Sequence, residues 1–227
     1  VTLTKNTEIL RAEVAAHIKA DALVRGSYWK PNENAVGGQG SFISCLTHSH
    51  EAPPAFERFG LPVAVLRIAE HIFEALPDDE GIAFFAALPD AVGRDGKDLS
   101  RVHWGFLAAE LRALPQTKDT AQTVIDPVVE GMELLSIGEE WPDARAAYAT
   151  AYAAHAPCAA YACAAAYAAA YAAADAADAA YAATDAATRC ADRVAYAYAA
   201  AYAPYAEAAA RARLRQRDTL LALIAAA

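Results

Sequence analysis

The chain has 227 residues and a mass of 23.9 kDa, with 19 Lys and Arg against 28 Asp and Glu and a net charge of -9. That length suits one large domain or two small ones. The acidic balance argues against a general binder of nucleic acid or anionic membrane, since both require basic surface.

The first part of the chain reads as short helices with well-marked stops. Leu10, Val14, Ile18 and Ala22 recur every four residues, and Gly26 supplies a left-handed cap after them. Tyr28 to Pro54 is a long Gly/Asn/Pro/Ser loop with room for a short hairpin. Pro62 suits a first helical position, and Val65, Ala69, Ile72, Phe73 and Leu76 then form an apolar face ahead of Pro77. Asp98 suits an N-cap for a helix carrying Leu99, Val102, Phe106, Leu107 and Leu111, which ends near Pro115. Asp126-Pro127 reads as a cap and first-turn proline opening a segment that closes at Gly138. No run of alternating β-branched residues appears, so the fold class is all-α.

Composition changes abruptly at Gly138-Glu139-Glu140-Trp141-Pro142. All 11 glycines lie between Gly26 and Gly138, whereas 39 of the 67 residues from Ala144 to Ala210 are alanine. Ten of the 11 tyrosines fall between Tyr148 and Tyr205. The sequence therefore predicts a mainly helical domain over 1–138 and an Ala/Tyr-rich helical region over 139–227. Alanine loses almost no side-chain entropy in a helix, so propensity here is high. As one rod the 89 residues after Gly138 would span about 130 Å and would need partner chains. Breaks at Pro157, around Arg189 to Arg193 and at Pro204 favour several helices folded back as a bundle.

Ala146 to Ala174 is 29 residues without a formal charge, long enough for a bilayer, but its Ala/Tyr composition with His155 and Pro157 argues against a span. The Ala-Ala-Tyr-Ala-Ala motif recurs at irregular intervals, which excludes a solenoid or coiled coil. Tyrosines then serve to fill gaps between closely approaching alanine faces. Tyr167, Tyr171, Tyr181, Tyr198 and Tyr202 are the candidate contacts, within the protein or to a second copy. The last stretch alternates Arg211, Arg213, Arg215 and Arg217 with small or apolar residues, and Leu214, Leu221 and Ile224 share a helix face. These arginines form either a solvated face paired with acids or a local nucleic-acid contact.

Chemistry-bearing residues concentrate in the loop Ser41-Phe42-Ile43-Ser44-Cys45-Leu46-Thr47-His48-Ser49-His50. Cys45, His48 and His50 with a fourth ligand such as His71 would suit Zn²⁺, and Cys45 beside a histidine could act as a thiolate. Only half of a zinc module is present, and the alternative is a buried cysteine with histidines bonded to loop backbone. His155, Cys158 and Cys163 offer another half-site. The glycines at 37, 38 and 40 lack the Lys-Ser/Thr of a phosphate loop, and no Ser-His-Asp set is visible. The four cysteines are too scattered for a disulfide framework, and Val1 to Glu8 does not read as a signal peptide; a cytoplasmic protein with free thiols is expected.

The segments Asp21-Ala-Leu-Val-Arg-Gly26-Ser-Tyr28-Trp29, Gly38-Gln-Gly40-Ser41-Phe-Ile-Ser-Cys45-Leu-Thr-His48-Ser49 and Phe56 to Leu76 resemble a group of bacterial and phage-encoded proteins. In that group the loop usually carries a second cysteine four residues before the first, where Ser41 stands here, and some members have alanine-rich, aromatic-studded tails. The resemblance implies no activity, and Ser41 weakens any inherited metal or redox role.

With no complete catalytic set, the sequence favours a non-enzymatic helical structural or interaction protein, without a resident cofactor, that packs or self-associates through its tail. A metal- or thiol-dependent enzyme or sensor at Cys45, His48 and His50 is the alternative, and nucleic-acid contact through the terminal arginines is a third.

Overall fold

A computed structural model describes residues 3–26, 30–31, 38–48, 53–114, 119–155, 168, 189, 193 and 205–227. Helices account for nearly all of the regular structure among them, so the protein is all-α. The helices are α1 (Thr7–Lys19), α2 (Phe42–Thr47), α3 (Pro53–Phe59), α4 (Val63–Ala75), α5 (Asp78–Val92), α6 (Val102–Arg112), α7 (Asp119–Ile137), α8 (Ala144–His155) and α9 (Tyr205–Ala226). The ladder between β1 (Lys30–Pro31) and β2 (Gly38–Gln39) is a two-residue antiparallel hairpin, in register Lys30 to Gln39 and Pro31 to Gly38.

The chain forms two compact units, Val1–Ser100 with Leu220–Ala227, and Arg101–Thr219. The compositional change at Gly138–Pro142 falls inside the second unit.

In the first unit, α2 is the centre although it is only six residues long, and Phe42 through Leu46 are all buried. It packs against α1, α3 and α4, while α5 packs against α1 and α4. Phe42 meets Phe73, Phe84 and Phe85 with ring centroids 5.0–5.9 Å apart. Leu10 and Val14 from α1 and Ile72 from α4 extend this core. Its edge is closed by the amino-terminal strap, where Thr4 exchanges backbone bonds with Gly96 and Lys97 and its hydroxyl donates to the Arg94 carbonyl at 2.9 Å. Asp95 accepts from the Thr7 backbone N–H at 2.9 Å and so caps α1, a bond that holds its carboxyl below the ordinary carboxylate range. Lys97 Nζ donates at 2.9 Å to the carbonyls of Ile224 and Ala225, satisfying the carboxyl end of α9.

The second unit packs α6 on α7 and α7 on α8. Gly138, at φ 88°, ends α7 in a left-handed turn. Glu139 N–H then bonds the Leu134 carbonyl and Gly138 N–H the Leu135 carbonyl, the Schellman pattern. The chain reverses there, and the Trp141 indole lies directly on Gly131, where any Cβ would overlap the ring.

Several expected boundaries move. Helix α1 stops at Lys19, and Gly26 serves a later turn at φ 64°. Asp98 accepts from Ser100 N–H in the turn before α6, so it does not cap that helix directly. Helix α7 begins at Asp119 and runs through Asp126-Pro127, because packing on both neighbours outweighs the one N–H that Pro127 lacks. Helix α5 starts with Asp78, Asp79 and Glu80 at its positive end and keeps Pro89 inside it. On α9 the buried stripe is Ala208, Ala212, Gln216, Leu220 and Ile224, a strict four-residue spacing, while Leu214 and Leu221 are half-buried. Among the described residues no helix is long and apolar enough to cross a membrane.

Candidate functional site

The segment expected to be loop is helical over Phe42–Thr47, because its buried apolar face packs into the core, and Glu70 of α4 holds the start of that helix from beneath. Its Oε2 accepts from the Ile43 backbone N–H at 2.6 Å, and its Oε1 accepts from the Ser41 hydroxyl. A carboxylate therefore sits where the first turn of α2 leaves N–H groups unpaired. Burial raises the Glu70 pKa, and the bonds from Ser41 and Ile43 oppose that shift.

Cys45, one turn on, is fully buried, and its Sγ–H faces the carbonyls of Gly40 at 3.4 Å and Ala22 at 3.6 Å. Burial pushes its pKa up to about 12, against the smaller opposing effect of a backbone hydrogen bond with Gly40. Such a thiol is a protonated core group, without the depressed pKa and access that a nucleophile or thiolate ligand needs.

His48 ends α2 at φ 54°, in the left-handed region that histidine enters more readily than most side chains. That backbone turn brings its Nε2 to 3.3 Å from Nε2 of His17 on α1, with the two rings edge to face and their centroids 5.4 Å apart. His17 is buried, whereas His48 is exposed. Burial lowers the His17 pKa, helped by the like charge of His48, while Glu13 and a bond to the Cys45 carbonyl oppose it. No motif links His17 to the loop, but it lies on the buried stripe Leu10-Val14-His17 of α1, where a polar side chain needs a partner.

Of the four expected zinc ligands, Cys45, His48 and His71 are described, and His50 lies outside the described residues. Among the described residues no three His, Cys, Asp or Glu side chains converge as a metal-holding group. The structure brings His48 to His17 and turns the Cys45 thiol to backbone carbonyls. Tyr167, Tyr171, Tyr181, Tyr198 and Tyr202 lie outside the described residues, as do Cys158 and Cys163.

The terminal arginines meet acids and amides of their own chain. Arg211 pairs with Glu207 at 3.6 Å, Arg213 donates to Gln216 at 2.9 Å, and Arg217 donates to Asp218 at 2.8 Å. Arg215 and Gln216 converge on Glu110 of α6, donating to its Oε2 at 3.0 and 2.9 Å. Glu110 is fully buried, and among the described residues its Oε1 has no hydrogen-bond partner. Burial raises its pKa, with Arg215 and then Gln216 pulling it back.

A groove of about 350 Å³ runs between α7 and α8 in the second unit. Val124, Pro127, Leu134 and Trp141 give it an apolar lining, and among the described residues its charged lining groups are Glu130 and Asp143. The segment Asp126 to Asp143 carries six carboxylates and no Lys or Arg, while Arg112 of α6 pairs with Glu133 at 2.6 Å and acts electrostatically on Asp126 and Glu130. Leu134 and Ile137 remain 38 % and 67 % exposed, a large apolar exposure for the end of a packed helix.

No family model, curated protein or solved structure matches this chain.

Proposed function

We propose that the protein is a non-enzymatic helical interaction protein of the cytoplasm whose α7–α8 groove receives a cationic amphipathic helical segment of a protein partner. The observation that carries this reading is an apolar floor beside Trp141 whose lining charges, among the described residues, are Glu130 and Asp143. Apolar side chains of such a segment fill the floor, and Lys or Arg beside them meet Glu130, Asp143 and the indole face. The protonated, buried Cys45 thiol gives no support to thiol catalysis.

The test is titration of a fluorescent Leu/Lys amphipathic peptide of roughly four helical turns against the full chain. Saturable, salt-sensitive binding is expected. Glu130→Lys with Asp143→Lys weakens it about tenfold or more, and Leu134→Ser weakens it as well, since both halves of the recognition are needed. Sensitivity to the charge reversals with none to Leu134→Ser would mean attraction to an acidic surface and would sink the groove reading.

The same reading includes self-association through the Ala/Tyr tail, which rests on composition. Native mass spectrometry of the full chain is expected to show a multiple of 23.9 kDa. Replacing Tyr167, Tyr171, Tyr181, Tyr198 and Tyr202 together by alanine returns it to the monomer; an unchanged multimer places the interface elsewhere.

A further inference from the structure

The His17–His48 pair has a geometry that simple packing does not require. Two imidazole nitrogens bound to one tetrahedral Zn²⁺ at 2.0–2.1 Å stand about 3.3–3.4 Å apart. The Nε2 atoms of His17 and His48 stand 3.3 Å apart, with the rings set edge to face. We propose that these two side chains form the protein half of an exchangeable Zn²⁺ site, water completing the tetrahedron.

Three further observations support it. The His17 ring also bonds the Cys45 backbone carbonyl. An imidazole that gives its proton to a carbonyl keeps the other nitrogen as a lone pair, the arrangement that orients metal-ligating histidines. Glu13 lies one helical turn before His17 and acts on it electrostatically; Arg58 holds its Oε1, while its buried Oε2 has no hydrogen-bond partner among the described residues. That carboxylate adds negative potential beside the site, which favours a cation. His48 is exposed, so the ion enters from solvent without the core opening. Two ligands among the described residues, with water in the remaining positions, describe a labile, sensing or recruiting site, in contrast to the closed four-ligand sites that hold a fold together.

Cys45 has no place in it, since its thiol is committed to the Gly40 and Ala22 carbonyls. The proposal is independent of the groove in the second unit, and neither result bears on the other.

The experiment is calorimetric titration of ZnCl₂ into chelator-treated full-length protein, with imidazole ¹⁵N spectra recorded alongside. One ion per chain is expected, with the Nε2 resonances of both His17 and His48 shifting on binding. The decisive variant is His48→Asn, because asparagine also accepts the left-handed backbone at that position. It is expected to weaken Zn²⁺ binding about tenfold or more, with a metal-free melting temperature close to that of the parent. His71→Ala should leave binding as it was. Absence of saturable binding would overturn the site and leave the pair as a neutral Nε2–H···Nε2 hydrogen bond. Binding that survives His48→Asn, or that disappears with His71→Ala, would overturn it equally by placing the metal elsewhere.

Discussion

Phe42→Ala is expected to destabilise the first unit by about 3–5 kcal/mol, the range for deleting a buried aromatic ring from a packed core. Phe42 has no exposed surface and is the shared neighbour of Phe73, Phe84 and Phe85. Its removal strips edge and stacking contacts from all three at once. The cavity would not collapse easily, because α2 is pinned at its start by Glu70 and so cannot slide into the gap. Urea denaturation monitored by circular dichroism measures the loss directly. Phe42→Leu, which keeps most of the volume, should cost under half as much. A loss below about 1.5 kcal/mol for the alanine variant would mean that the aromatic cluster is not the centre of this core.

Glu110→Ala should cost about 3 kcal/mol, near the lower end for breaking a buried ion pair because Arg215 retains 29 % side-chain exposure. The loss comes from Arg215 and Gln216, whose bonds both converge on Oε2. Glu110→Gln separates charge from shape and has a distinct pH signature. Burial raises the folded pKa of Glu110 above 4.5, so its stabilising contribution is complete below that value and falls as pH rises through the folded pKa. The parent protein therefore loses stability from this group on passing from acid to neutral pH. Glu110→Gln removes that loss, and its stability should fall less than that of the parent between pH 5 and pH 8, an interval of about three units chosen to start just above the ordinary glutamate pKa. Glu70, also raised, is present in both proteins and cancels in the comparison. Parallel pH profiles for the two proteins would show that Arg215 compensates the carboxylate in full.

Residue type and spacing already mark part of this architecture. The apolar face Val65-Ala69-Ile72-Phe73 is α4, entered from Pro62, and Gly138 does end a helix. These features are local: a proline withholds an N–H, a glycine accepts positive φ, and a four-residue apolar spacing shows one face of a helix. Helix α7 shows where local rules stop. Asp126-Pro127 has the chemistry of a helix start, yet the helix passes through it because α6 and α8 bury its sides. The loop site was half legible in the same way. Cys45 and His48 stand out by type and proximity, but nothing near them in the chain announces His17 or assigns Glu70 to the turn of α2.

The sequence alone therefore determines the helical class, the acidic surface and the glycine-free Ala/Tyr segment, because each follows from composition or from spacing within a turn or two. Tertiary structure decides the pairs: His17 with His48 across 31 residues, Glu110 with Arg215 across 105, and Lys97 with the end of α9 across 127. Each pair joins elements whose mutual placement comes from packing whole helix faces. Burial then changes what the residues are. The same fold that makes Cys45 an inert core thiol turns two unremarkable histidines toward each other at the spacing of adjacent ligands on one metal ion.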